Sequence, residues 1–271
     1  MNTTHDDCVS SMMKAKRFVV KVGTSSLTDE NSRLDVGKVA NLVSMIMREK
    51  KKGRDPVLIS SGAIGAGLGR LGLPGRPSEI QALQAAAAVG QGILMQTYEF
   101  FFNSYEQPIA QLLLTREDFT DAIRYRNLSN TLETLISWGV IPIINENDTI
   151  ATEEIKVGDN DTLASYVTMG VKAELLVILS DVDGLYTANP SDSEGMLIKV
   201  VERVTPEVEG WASRDGKGFG GMHTKVQAAK KLSKKNIVTV IANHSTPDAL
   251  HRVFIGEIGT VFLPTGGESC E

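Results

Sequence analysis

Two lysines stand where a lysine is unexpected unless its ammonium meets an anion. Lys21 lies inside the β-branched run Arg17-Phe18-Val19-Val20-Lys21-Val22, which reads as a buried strand, and an unpaired buried charge is costly. The bland alternative is a strand-end lysine whose head reaches water. Lys225 closes Gly218-Phe219-Gly220-Gly221-Met222-His223-Thr224-Lys225, a glycine loop running into an expected helix. Such a loop lets backbone N–H groups approach a phosphate at the positive end of the helix dipole. A lysine at that end is unfavourable for the dipole, so a solvated surface role explains it poorly. A third segment, Lys156-Val157-Gly158-Asp159-Asn160-Asp161, sits just before another expected helix. Asp159 and Asp161 flank an amide, so one carboxylate can orient lysine ammoniums while the other serves a magnesium shell or caps the helix. A plain N-cap accounts for one aspartate, but not for the pair together with Asn145, Asn147 and Asp148 upstream. Phosphoryl transfer is the chemistry such a set would serve, because positioning and charge do most of its catalytic work.

These residues need elements to hold them. Short apolar runs at 17–22, 56–60, 109–114, 140–144, 175–179 and 237–241 read as buried strands. Between them, helices are expected near 35–53, 79–102, 116–138, 161–172, 224–235 and 247–254. The first is N-capped by Asp35 and carries Val36, Val39, Val43, Ile46 and Met47 on one face. The alternation predicts an α/β fold, an open, mainly parallel β-sheet sandwiched between helix layers (αβα). Residues 145–160 and 181–221 break the pattern and read as long irregular, functional segments. No repeat or linker divides the chain, so one domain is expected over 16–264, with residues 1–15 a disordered extension and 265–271 a short tail.

In doubly wound sheets, ligands gather at the carboxyl ends of the strands. Four strand ends here carry suitable residues: Gly23 to Ser26, Ser60 to Gly67 with Ser61, Gly62 and Ala63, Asn145 to Asp148, and Ser180-Asp181. Any one alone is more simply a turn. Four at one edge are harder to dismiss. Rival motifs fail: Gly210 to Lys217 lacks P-loop spacing and the following Ser or Thr, and Gly67, Gly69 and Gly72 start too far past their strand for a dinucleotide fingerprint. The four histidines show no metal-ligand pairing, and His223 reads as a loop residue rather than a general base.

The net charge of −5 and pI near 5.5 give no general attraction to nucleic acid or anionic lipid. Cys8 and Cys270 form no metal-spaced pair, and no apolar run is long enough to span a membrane. The expectation is a cytoplasmic protein with no membrane and no nucleic-acid partner.

The stretches VVKVGTSSLT, LISSGAIGAG, AAVGQG, QLLLTREDF, PIINENDTIATEEIKVGDNDTLAS, SDVDGLYTANP and GGMHTKVQAA resemble, in order and spacing, the amino acid kinase superfamily, and within it the branch that phosphorylates glutamate. The resemblance implies the amino acid kinase fold, with an acceptor lobe over about 16–174 and a nucleotide lobe over about 175–264. It implies that Lys21 and Lys225 embrace the transferring phosphoryl group, with Asp159 between them to fix their orientation and Asp161 supporting the centre. Ser61, Asp148 and Asn160 would contact glutamate, with Gly62 and Ala63 nearby. Gly23, Ser180, Asp181 and the loop Phe219, Gly220, Gly221, Met222, His223, Thr224 and Lys225 would hold ATP, with Mg2+ as its companion. Also implied are γ-glutamyl phosphate as product, entry into proline synthesis, feedback by L-proline, and a homodimer or homotetramer. The sequence departs from the pattern where Phe219 replaces a common threonine, and it stops at Glu271, where many bacterial members continue into a PUA domain, which is not expected here. Two rivals to glutamate phosphorylation are another superfamily acceptor, such as aspartate, N-acetylglutamate, carbamate or a nucleoside monophosphate, and a noncatalytic sensor. The NEND and GDND segments favour a free amino acid, since a charged amine needs carboxylate and amide partners; both lysines and Asp159 weigh against the sensor.

Overall fold

The computed structural model describes residues 5–73, 75–150, 160–188, 195–213 and 221–266. Along the chain the elements are α1 (His5–Lys14), β1 (Arg17–Val22), α2 (Val36–Lys51), β2 (Asp55–Ile59), α3 (Ala63–Leu71), α4 (Ile80–Asn103), β3 (Ile109–Leu114), α5 (Glu117–Thr120), α6 (Ala122–Ser137) and β4 (Ile141–Glu146). They continue with α7 (Asn160–Gly170), β5 (Leu175–Ser180), β6 (Val200–Val201), α8 (Pro206–Ala212), α9 (Met222–Ser233), β7 (Val238–Asn243), α10 (Ala249–Phe254) and β8 (Thr260–Phe262). Two compact units emerge: Val22–Asn160, and Met1–Lys21 with Asp161–Glu271. Among the described residues, no helix is long and apolar enough to cross a membrane.

In the unit Val22–Asn160, strands run in the order β3-β4-β2, all parallel, with Leu58 opposite Ile143 and Ile109 opposite Ile141. From Pro56 to Ile59 and from Ile141 to Asn145 every residue is buried. Such unbroken burial means that helices cover both faces of these strands, as a parallel sheet requires. Asp35 caps α2 by accepting from the Gly37 and Lys38 amides at 2.9 and 3.1 Å. Lys38 then turns its ammonium onto the carbonyls of Ser25 and Thr28, tying down the loop that follows Gly23. The helix expected over 116–138 is two helices. Asp121 ends α5 and caps α6, its carboxylate accepting from Ile123 and Arg124, so a residue that reads as helix interior is a joint.

The segment from Ser60 to Gly67 stays a loop only as far as Gly62, whose φ of 93° suits a residue without Cβ. Helix α3 follows at once and crosses α4 with backbone against backbone. A Cβ on Gly67 would overlap the carbonyl of Ala86, and one on Gly90 would overlap that of Ala63. Small residues, rather than large apolar ones, make this contact, so the Ala85 to Ala88 run gives α4 only a weak apolar face.

The other unit orders its strands β1-β5-β7-β8-β6. β5 and β7 are parallel with Leu175 opposite Val238, β8 is antiparallel to β7, and β6 is parallel to β8. The sheet is thus mainly parallel, as expected, and β5 is buried throughout. Two expectations are corrected here. Residues 5–14, expected within a disordered extension, form α1, because Cys8 and Met12, one helical turn apart, bury completely and α1 packs on α10. Beneath them Phe18 meets Phe254 edge to face at 5.1 Å. The stretch 181–221, read as irregular, contains β6 and α8, elements too short to show a period. Thr205 caps α8 through the Val208 amide, and Pro206 occupies its first turn, where a missing N–H costs nothing.

The α3–α4 crossing can be tested on one helix with two glycines. Gly90→Ala forces a methyl into backbone and should destabilise by about 1–3 kcal/mol or more. Gly92→Ala, where a Cβ meets open space, should stabilise by about 0.5–1 kcal/mol. Urea denaturation of both variants checks the opposite signs.

Candidate functional site

Three buried charges converge in the unit that contains β1. Lys21 near the end of β1, Asp161 in the first turn of α7 and Lys225 in the first turn of α9 are 5%, 1% and 6% exposed. Lys21 Nζ lies 2.7 Å from Asp161 Oδ1, and Lys225 Nζ donates to Asp161 Oδ2 at 3.1 Å. Thr224 Oγ1 shares its proton between the same Oδ2, at 2.7 Å, and the Gly221 carbonyl. Burial alone would raise the Asp161 pKa, but the Lys21 and Lys225 charges, with hydrogen bonds from Lys21 and Thr224, outweigh it and hold the carboxyl below its usual range. The carboxylate is therefore ionised, and two ammoniums are fixed on it without solvent around them.

This settles how Lys21 tolerates a strand interior: it is buried, and its ammonium is paired. Asp161, expected as a supporting residue, is the carboxylate shared by both lysines. Asp159, expected between them, lies outside the described residues, as do Phe219 and Gly220 of the glycine loop. Of that loop, Gly221 stands at the N-cap of α9 with no side-chain cap, Met222 is buried, His223 is exposed and 3.5 Å from Ser213 Oγ, and Thr224 and Lys225 point to Asp161. At the end of β5, Ser180 is buried and its hydroxyl reaches Asp181 Oδ1 at 3.2 Å, while the Ser180 carbonyl accepts from the His244 amide.

The unit Val22–Asn160 gathers a second, uncharged cluster. Asn160 Nδ2 donates to the Ser60 carbonyl at 2.9 Å, to Ser61 Oγ at 2.9 Å and to Asn145 Oδ1 at 3.1 Å. Asn145 Oδ1 also accepts from the Glu146 amide, and its Nδ2 donates to Gln91 Oε1 at 3.0 Å. Ser60 Oγ lies 2.8 Å from the Tyr98 hydroxyl, which burial keeps protonated far beyond neutral pH. The ends of β2 and β4 are thereby joined through amides, and Gly62 and Ala63 follow directly as the start of α3. Gly23 is half-buried at the head of the short turn after β1. Asp148 sits half-buried on the turn beyond β4. Burial pushes its carboxyl up to about 6 despite the nearby positive charge of Arg76.

Ser61 and Asn160 are thus brought together by a direct hydrogen bond. Gln91, Tyr98 and Arg76 are participants that sequence reading gives no role. Gln91, in the AAVGQG segment, follows Gly90 directly and stands two helical turns before Tyr98, and both side chains meet residues at the strand ends.

Residues 16–243 match the family described as Amino acid kinase family. The chain is 50% identical to the glutamate 5-kinase of Caldanaerobacter subterraneus subsp. tengcongensis, over 92% of this chain and 68% of that protein. It is 47% identical to that of Moorella thermoacetica, over 96% and 70%, and 48% identical to that of Symbiobacterium thermophilum, over 93% and 97%. Among solved structures, carbamate kinase from Giardia lamblia bound to AMP-PNP superposes with a TM-score of 0.65 at 21% identity, covering 93% of this chain and 99% of the other. UMP kinase from Bacillus anthracis gives 0.60 at 11% identity, covering 92% and 96%, so both share the fold. The chain belongs to the amino acid kinase family, in its glutamate 5-kinase branch.

Proposed function

We propose that this protein transfers the γ-phosphoryl group of ATP to the side-chain carboxylate of L-glutamate, giving γ-glutamyl phosphate and ADP, the first step of proline synthesis from glutamate. The observation that carries the reading is the pair of buried ammoniums, Lys21 and Lys225, fixed on the buried carboxylate of Asp161, in a chain 50% identical to a glutamate 5-kinase over 92% of its length. A carboxylate acceptor is already ionised at neutral pH, so no base has to remove a proton. One of its oxygens attacks the γ-phosphorus as the bond to the β,γ-bridging oxygen breaks, and the electron pair leaves on ADP. Charge spread over the transferring group is what the protein has to stabilise. Two preoriented ammoniums do this without reorganising at the moment of reaction.

The remaining roles are those that the family resemblance implies. Ser180, Asp181, Gly23 and the Phe219–Lys225 loop hold the nucleotide. Ser61, Asn160 and Asp148 hold glutamate, with Gly62 and Ala63 close by, and Asp159 acts with Asp161 on the lysines. Magnesium arrives on the triphosphate, whose oxygens supply much of its shell and need only one or two carboxylates besides. Cytoplasmic residence, assembly as a homodimer or homotetramer, and inhibition by proline near the 145–160 segment belong to the same reading; size-exclusion chromatography and a proline titration test the last two.

With ATP, magnesium and hydroxylamine, glutamate should yield the hydroxamate that traps an acyl phosphate. ATP consumption with glutamate but no hydroxamate would sink the assignment. Lys225→Ala should lower kcat by on the order of a hundredfold, and an unchanged kcat with raised KM for ATP would assign Lys225 to ground-state binding instead. Asp161→Asn should lower kcat similarly and also cost about 3 kcal/mol or more of stability, because both lysines lose the carboxylate they share. If the Asp148 carboxylate, lifted to about 6, pairs with the substrate ammonium, kcat/KM for glutamate falls as pH drops through that value. Protonation removes the attraction, so Asp148→Asn should have a low kcat/KM with that pH limb absent.

A further inference from the structure

The glutamate-kinase reading leaves open what makes the acceptor cluster read an amine. The orientation of its amides is fixed from outside. A backbone carbonyl can only accept, so Asn160 must turn Nδ2 toward the Ser60 carbonyl. A backbone amide can only donate, so Asn145 must turn Oδ1 toward the Glu146 N–H, leaving its Nδ2 for Gln91 Oε1. With Nδ2 of Asn160 committed to Ser60, Ser61 and Asn145, its Oδ1 is buried and has no hydrogen-bond partner among the described residues. Asn160 is 6% exposed. A buried acceptor without a donor costs on the order of 1–3 kcal/mol, and the loss is recovered when a donor binds.

We propose that Gln91 is a positioning residue for acceptor specificity: through Asn145 it locks the Asn160 carboxamide so that Oδ1 is presented to the ammonium of a free amino acid. This rests on glutamate being the acceptor. Gln91 touches no reacting atom in this scheme; it sets the direction of a group that does. Helix α4 holds it rigidly, since the Gly67–Gly90 crossing fixes the helix one residue before Gln91 and Tyr98 clamps Ser60 seven residues later. Remove the acceptor at position 91 and the Asn145 side chain keeps the Glu146 N–H but loses its second anchor, so the Oδ1 that receives the Asn160 amide is held less firmly and the direction of the Asn160 carboxamide is less sharply set. The reach of the site toward the carboxylates of the substrate is unchanged.

The test compares glutamate with glutarate, which keeps both carboxylates and lacks the amine. Gln91→Glu keeps an acceptor for Asn145, whereas Gln91→Leu keeps size and helix propensity without one. Wild type and Gln91→Glu should favour glutamate over glutarate strongly in kcat/KM. In Gln91→Leu that preference should fall about tenfold or more, through a raised KM for glutamate, with kcat and the KM for ATP within about twofold. Gln91 is half-buried, and a thermal melt verifies that the variant folds. Should Gln91→Leu fail to fold, Gln91→Met serves as the second acceptor-free variant. An unchanged glutamate-to-glutarate ratio in an acceptor-free variant, or an equal loss on both acids, overturns the proposal. A wild-type enzyme that forms no hydroxamate from glutamate would instead overturn the underlying reading.

Discussion

One carboxylate holds two cations where water does not reach. Asp161 carries both lysine contacts and the threonine hydroxyl, and it is almost wholly buried. Three buried charges are costly unless geometry makes them mutually supporting, and here three separate elements supply them. β1 brings Lys21, α7 brings Asp161 in its first turn, and α9 brings Lys225 in its first turn. The fold around them can be understood as the means of bringing one strand end and two helix starts to the same place. Placing an anion in the first turn of α7 also suits the dipole of that helix, while Lys225 opposes the dipole of α9. The unfavourable member is one of the two lysines that the proposed reaction assigns to the transferring phosphoryl group.

The second cluster solves a different problem with neutral groups. Amides that donate and accept in one fixed sense can present a single oxygen without bringing another charge into the interior. Ser60, Ser61, Asn145 and Asn160 belong to different strand ends and a helix start, yet they form one connected set. Charge therefore gathers on one group of residues and amide direction on another, which suits a reaction that must neutralise phosphate and recognise an amino acid.

Much of this was legible in the sequence, and the parts that were not share a cause. Buried β-branched runs and capped helices announce a mainly parallel sheet, because local period and cap chemistry are local facts. Lys21 and Lys225 stand out because each defies a local rule. That Asp161 is a carboxylate shared by both lysines does not, since nothing local marks it out and only tertiary contacts show the pairing. Gln91 and Tyr98 are invisible for the same reason: a helix with a weak apolar face gives no hint of which polar residues meet a strand 40 or 50 positions away. Helix α1 was hidden by its brevity and polar composition, although Cys8 and Met12 sit at the spacing that buries a single stripe.

The crossing of α3 over α4 has a consequence for anyone wishing to redesign this protein. Where two helices meet through side chains, their separation can be adjusted by exchanging one residue for a larger or smaller one. At Gly67 and Gly90 the separation is already set by main-chain atoms, so there is no smaller residue to try and no larger one that fits. The crossing behaves as a fixed datum. Altered substrate preference would have to be sought in side chains of the loops and of polar positions such as Gln91, with the α3–α4 crossing itself treated as an unalterable frame.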